Sequence, residues 1–293
     1  MLQRIDHLVA PVPSLDAAEA YERLGLALTP RTVHTGRGTA NRAAFVGRSA
    51  ADFVYLELLA VEAPADLPAS RAVYADIAAH GGGLAAIAFT VDRPLEAALA
   101  PLASAGAAID RAGVRAEDGR LLVDAALAAG LSAIPFPVLL VDYPGGLEAR
   151  FERSRGLGRF DHRFPLARLD HLAVLAPDLD AATRAWVDLL GLVVAGEITA
   201  PGMVIRQLRC GDAVIELLAP AGDASPLAGR PAALLPVAAW EVAGPLEAAA
   251  DLARERGFTC PPPSPGVIPG TRRTTIPAAE LGGVAMQLLE YAG

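Results

Sequence analysis

The sequence predicts an α+β fold built from four βαβββ modules arranged in two pairs. Three observations carry this reading. First, the chain repeats itself: Ile5-Asp6-His7-Leu8 returns at Leu169-Asp170-His171-Leu172, and Pro13 to Ala18 returns at Pro177 to Ala182, each 164 positions on. Second, later echoes keep their order while the offset shrinks. Tyr55 to Ala60 returns at Val214 to Ala219, and Phe89 with Pro94 to Ala98 returns at Trp240 with Pro245 to Ala249, 151 positions on. A duplication with loops trimmed in the second copy leaves that pattern. Third, each quarter reads as one strand, one helix and about three strands. That ratio argues against a doubly wound parallel sheet. No Gly-x-Gly-x-x-Gly follows a strand, which disfavours a dinucleotide fold.

Residues 3–10 read as a strand, with Ile5, His7 and Val9 on one face by the two-residue period. Pro13-Ser14 supplies a turn and helix cap, and Asp16 in the first turn suits the helix dipole. Leu15, Ala18, Tyr21 and Leu24 form a helical stripe that stops at Gly25. Residues 28–60 hold two or three strands between Gly- and Asn-bearing turns, the last running from Phe53 to Leu59. The second module opens at Leu84 to Val91, continues through a helix from Leu95 to Ala103, and ends in strands near Pro137 to Val141 and Leu147 to Glu152. The third and fourth modules occupy residues 169–219 and 237–290. Arg153 to Pro165 reads as the linker between domains 1–153 and 166–293.

At 293 residues the length suits about two domains, and 53% hydrophobic content lets each bury a core. The net charge is −8, and all 25 basic residues are Arg. An acidic chain without a basic stripe is a poor nucleic-acid binder. No apolar run reaches the roughly 18 residues of a membrane span. The N-terminus enters a strand at once, leaving no room for a signal peptide. Cys210 and Cys260 have no metal-type spacing and read as reduced thiols of a cytoplasmic protein. The expected partner is a small-molecule substrate or ligand, with neither nucleic acid nor membrane; a homodimer is left open.

The start Ile5 to Ala18 with the later Tyr55-Leu56-Glu57-Leu58-Leu59 resembles the vicinal-oxygen-chelate superfamily of glyoxalases, extradiol dioxygenases and bleomycin-resistance proteins. His34-Thr35-Gly36-Arg37-Gly38-Thr39-Ala40-Asn41 is similar to a motif of its glyoxalase-like domain group. The resemblance covers residues 3–152 and 166–291. It implies two tandem cupped sheets of this type, with a metal ligand on the first and last strand of each module. Carried over by position, the metal ligands would be His7, Glu57, His171 and Glu216. Imidazole with carboxylate suits Zn, Ni, Fe or Mn. In the even modules the corresponding positions fall at Ala86, Arg150, Val237 and Gln287, so each half keeps two ligands. Only a meeting of modules one and three would gather all four.

A lone His on an apolar strand is more often a hydrogen-bonded cleft residue than a ligand, but here a His–Glu pair occurs twice. A buried carboxylate needs a partner, and His7 and His171 are the nearest candidates. Glu57, Glu216 and His34 are the candidate catalytic residues. Asn41, Arg150 and Gln287 are the candidate substrate-binding residues, Arg150 as a clamp for a carboxylate. The His34–Asn41 stretch is otherwise a hairpin turn, and Arg150 otherwise a solvated edge residue. His80 and His162 have no partner in view. The leading expectation is a glyoxalase- or dioxygenase-like enzyme acting through a divalent metal on a small oxygen-bearing substrate. Metal-free binding of a small molecule, as in resistance proteins, is the alternative. A third option makes the N-terminal half active and the other half a relic.

Overall fold

The computed structural model describes residues 2–115 and 118–291. The first sheet is built from β1 (Leu2–Val12), β2 (Thr32–His34), β3 (Thr39–Val46), β4 (Val54–Val61), β5 (Ala86–Val91), β6 (Ala108–Arg111), β7 (Val114–Arg115), β8 (Leu121–Ala129) and β9 (Val138–Asp142). The second holds β10 (Leu166–Leu175), β11 (Val193–Ala200), β12 (Met203–Cys210), β13 (Ala213–Pro220), β14 (Ala233–Val242), β15 (Ser264–Pro265), β16 (Thr271–Ile276) and β17 (Ala285–Tyr291). Helices are α1 (Ala17–Leu24), α2 (Ala72–Ala79), α3 (Leu95–Ser104), α4 (Leu147–Gly156), α5 (Leu179–Leu190) and α6 (Leu246–Glu255). The strand orders, β2-β3-β4-β1-β5-β9-β8-β6 and β11-β12-β13-β10-β14-β17-β16-β15, are the same permutation twice. Both sheets are mixed and curled, and together they form two tandem cupped α+β modules. The first strand of every module lies centrally, and β1 is buried from Arg4 to Val12, its polar Arg4, Asp6 and His7 included.

The helices stop where glycine lets them. Gly25 after α1 and Gly191 after α5 take the left-handed conformation, with φ of 96° and 70°. Asp178 caps α5, its carboxylate accepting from the Ala181 N–H at 2.9 Å.

Compact units do not coincide with the sequence halves. One unit comprises Met1–Asp6, Ala86–Ala149 and His171–Leu235, joining the second module to the third. Its core sets Trp186 against Phe89 and Phe136, with ring centres 6.4 and 5.9 Å apart, and packs α3 on α5. The other comprises His7–Ala85, Arg150–Asp170 and Pro236–Gly293, joining the first module to the fourth. There the Tyr21 hydroxyl donates to the Leu281 carbonyl at 2.8 Å, and Gly82 lies against Gly282. Modules one and three therefore share no compact unit. The sequence option that gathered four ligands by pairing them is not realised within either unit.

One predicted strand is a helix. Leu147 to Glu152 lies in α4, not in a strand. The stretch follows Gly145-Gly146 and contains Leu, Glu, Ala, Arg and Phe but no β-branched residue, a composition that favours helix. Phe151 and Ser154, three apart, form its buried face. The last turn of α4 also takes the start of the predicted linker.

Candidate active site

Two parallel strands set the geometry of the first His–Glu pair. In the β1–β4 register His7 stands opposite Tyr55 and Val9 opposite Glu57. Alternation then puts His7, Tyr55 and Glu57 on one face. Phe45 on β3 stands opposite Tyr55, and the three rings form a ladder: His7 on Tyr55 at 4.4 Å, Tyr55 on Phe45 at 4.7 Å. Beside it, Glu57 is buried at 7% exposure. A carboxylate there needs donors, and Asn41 Nδ2 donates to its Oε1. His7 Nε2 lies 3.8 Å from Glu57 Oε2, and His34 Nε2 lies 3.8 Å from Oε1. Both separations exceed a hydrogen bond.

The β2–β3 hairpin delivers His34 and Asn41. His34 pairs with Thr39 in register, and its Nδ1 lies 2.8 Å from the buried Thr39 hydroxyl, which fixes the ring. Gly36 and Gly38 close the turn at φ of 70° and 63°. A side chain on Gly38 would strike the Ala63 carbonyl, so the backbone there must stay bare. The stretch is a hairpin, and its turn carries two polar groups to Glu57.

The second pair lies in the other unit and is poorer. His171 Nε2 is 3.7 Å from Glu216 Oε2, and Gln207 Nε2 donates to Glu216 Oε1 at 3.0 Å. Gln207 sits directly opposite Glu216 on β12. Aligning Glu216 with Glu57 puts Ala200 and Ile205 where the first copy has His34 and Asn41. The ladder is gone too, with Val214 and Arg209 in place of Tyr55 and Phe45. Gln207 was not anticipated, though a polar side chain between Ile205 and Leu208 on an inner strand was a signal.

The even modules carry no such pair. Ala88 pairs with Leu139 as Val9 pairs with Glu57, so Leu139, not Arg150, occupies the last-strand position of the second module. Arg150 had been assigned there because α4 was read as a strand. It lies instead on α4, its guanidinium 5.3 Å from the Tyr55 ring centre and 5.9 Å from that of Phe45. Gln287 does take the position expected of it, opposite Ala239 as Glu216 stands opposite Ala173, and is buried. The structure therefore brings His7, His34, Asn41 and Glu57 together, holds His171 and Glu216 as a separate pair, and sets Gln287 on another strand. His162 and His80 do have partners: His162 Nδ1 accepts from the Ala27 N–H at 2.9 Å while Nε2 lies 2.6 Å from the Phe45 carbonyl, and His80 Nδ1 lies 2.8 Å from the Asp76 carbonyl.

For a metal, the donor chemistry at Glu57 is suitable: two imidazole nitrogens and a carboxylate. The separations of 3.8 Å are close to the span of two ligands of one ion, each about 2.1 Å from it at an open angle. Among the described residues, however, no three His, Cys, Asp or Glu stand compactly enough to hold an ion by themselves. Substrate or water oxygens would have to complete the shell.

The comparisons agree with this architecture. A glyoxalase-like domain family matches residues 5–133, and the glyoxalase/bleomycin resistance protein/dioxygenase superfamily matches residues 170–273. With both halves matched by such models, the chain belongs to this glyoxalase-type (vicinal-oxygen-chelate) superfamily. Mitochondrial methylmalonyl-CoA epimerase of Mus musculus is 32% identical over 38% of this chain and 62% of that protein. The human enzyme is 36% identical over 22% and 38%. The chain thus spans less than two thirds of these relatives. A 4-hydroxymandelate synthase variant from Streptomyces coelicolor superposes with a TM-score of 0.69 at 16% identity, over 100% of this chain and 94% of that one. A Mn(II)-bound glyoxalase from Novosphingobium aromaticivorans gives 0.63 at 14% identity, over 100% and 83%. These likenesses concern the fold.

Proposed function

We propose that this superfamily member is a glyoxalase-like enzyme acting on a small oxygen-bearing organic substrate at the first His–Glu set, with Glu57 as the proton acceptor. The supporting observation is the convergence of Asn41, His7 and His34 on one buried carboxylate. Asn41 holds the carboxylate and leaves Oε2 toward His7. A buried base of that kind suits removal of a proton beside a carbonyl. The named relatives include an epimerase of a CoA ester. A divalent ion (Zn, Ni, Fe or Mn) would be a second component: His7, His34 and Glu57 would supply part of its shell, which they do not close by themselves, and the substrate oxygens that completed it would be polarised. His171 and Glu216 are proposed as the non-catalytic copy, in which Ala200 and Ile205 stand where the first has His34 and Asn41. Gln287 is left as a polar wall of the fourth module. The division at residues 153 and 166 is kept as the boundary of the repeated halves.

Metal analysis of protein purified without chelator, with Glu57→Gln and Glu216→Gln beside it, tests this. Metal near one equivalent per chain, lost in E57Q and kept in E216Q, is expected. Less than about a tenth of an equivalent removes the metal and leaves the alternative, a metal-free binding or resistance-type protein. That alternative is favoured by the missing ligands at Ala86, Leu139 and Val237; it predicts ligand-induced thermal stabilisation that persists in EDTA. The proposed location is the cytoplasm, where the buried free thiols Cys210 and Cys260 stay reduced. No helix among the described residues is long and apolar enough to cross a membrane.

A further inference from the structure

Residues 147–152 read as a strand and 153–165 as a linker, yet the segment from α4 to His162 lies across the ring ladder of the proposed site. Phe151 and Phe160 join Phe45 and Phe53 in one aromatic cluster, with Phe151 and Phe160 centres 5.1 Å apart. His162 pins the far end to the Phe45 carbonyl and the Ala27 amide. The segment presents two guanidiniums to the ladder, one from the residue before Phe151 and one from the residue before Phe160. Arg150 lies 5.3 Å from the Tyr55 ring centre, and Arg159 lies 5.2 Å from that of Phe45.

Two like charges held on adjacent rings repel, and removal from water makes it worse. Burial, and then the charge of Arg150, push the Arg159 guanidinium below the usual arginine range against an opposing effect of Tyr55; Arg153 adds to the lowering. The neighbouring Arg155 pairs with Glu152 at 2.5 Å on the same helix. The fold thus concentrates positive charge beside the ladder in a chain whose net charge is −8. An oxyanion placed between two guanidiniums relieves the repulsion and takes up their paired N–H groups. Tyr55 links this spot to the chemistry, since its ring contacts both Arg150 and His7.

The geometry points to Arg150 and Arg159 as the subsite for the anionic group of the substrate, which makes that substrate a small organic acid or phosphate ester. This rests on the reading of Glu57 as the reacting base, and places the substrate's charged end one ring's width from His7. Arg159 was not marked by the sequence, because the segment carrying it read as a linker.

Calorimetric titration of the full chain with benzoate, phenyl phosphate and neutral benzamide tests it. Either anion should bind at least tenfold more tightly than benzamide, and the tighter of the two identifies the anion class. Arg150→Gln/Arg159→Gln should abolish that preference, and Arg150→Lys/Arg159→Lys should restore part of it. The lysine pair also serves if the glutamine pair does not fold. Equal binding of all three probes, or anion binding unchanged in both double variants, overturns the proposal. Glu57→Gln separates the two readings: anion binding that needs the arginines while E57Q keeps full turnover upholds the subsite and refutes the base.

Discussion

At the scale of single residues, Asn41 is what makes Glu57 tolerable inside a sheet. Removing it leaves a buried carboxylate short of a donor. Asn41→Leu should lower stability by about 1–3 kcal/mol in a urea melt, whereas Glu57→Gln, which keeps an acceptor for Asn41, should cost less. His162 carries a second expectation. It is held neutral, accepting at Nδ1 from Ala27, and burial pulls its pKa below the ordinary 6.5. A depressed folded pKa means the unfolded chain binds the proton more readily. Stability should therefore be complete above about pH 6.5 and decline as pH falls toward the folded value. His162→Gln should flatten that slope in melts between pH 5 and 7.5; a slope of native size in the variant would contradict it. Of these residues, His7, His34, Asn41 and Glu57 were legible in the sequence, because repetition and the glycine-rich hairpin marked them. Arg159 and the partners of His162 were not, because each acts on a residue far away in the chain, and Gln207 was not because no polar residue in the first copy corresponds to it.

At the scale of elements, α4 shows where reading by repeat fails. The repeat pattern predicts a fourth strand in the second module, but the local composition favours helix, and Arg150 therefore lies on α4 and not at a strand position. The helix earns its place through one large side chain: Phe151 packs on Phe53 and Phe160, at 5.6 and 5.1 Å between centres. Phe151→Ala should cost about 3–5 kcal/mol by the usual penalty for emptying a core, seen as an earlier urea midpoint. Loss under 1 kcal/mol would mean that the segment is only loosely attached. The strands of both sheets were easier to anticipate, since central strands carry long apolar runs and the order of elements was copied whole.

For the molecule as a whole, the sheets follow the sequence halves while the compact units join first module to fourth and second to third. No sequence pattern announces that exchange, because it depends on surfaces that meet only after folding. Gly82 marks it within one unit. Its φ is 91°, and an added methyl would meet the Gly282 carbonyl. Gly81, at φ 98°, opens on empty space. Gly82→Ala should therefore destabilise by on the order of 1–3 kcal/mol more than Gly81→Ala, although both residues leave the same backbone region; equal melting points would deny the contact. The same scale contrasts the two His–Glu sets, one with a glycine-turned hairpin, a ring ladder and two arginines, the other with Gln207 opposite its carboxylate. Solvent deuterium incorporation decides between them. A panel of carbonyl-bearing organic acids and esters in D2O, followed by proton NMR, should show exchange beside the carbonyl with the native chain and with Glu216→Gln, and a loss of at least a hundredfold with Glu57→Gln. Exchange that survives Glu57→Gln and disappears with Glu216→Gln would contradict the account.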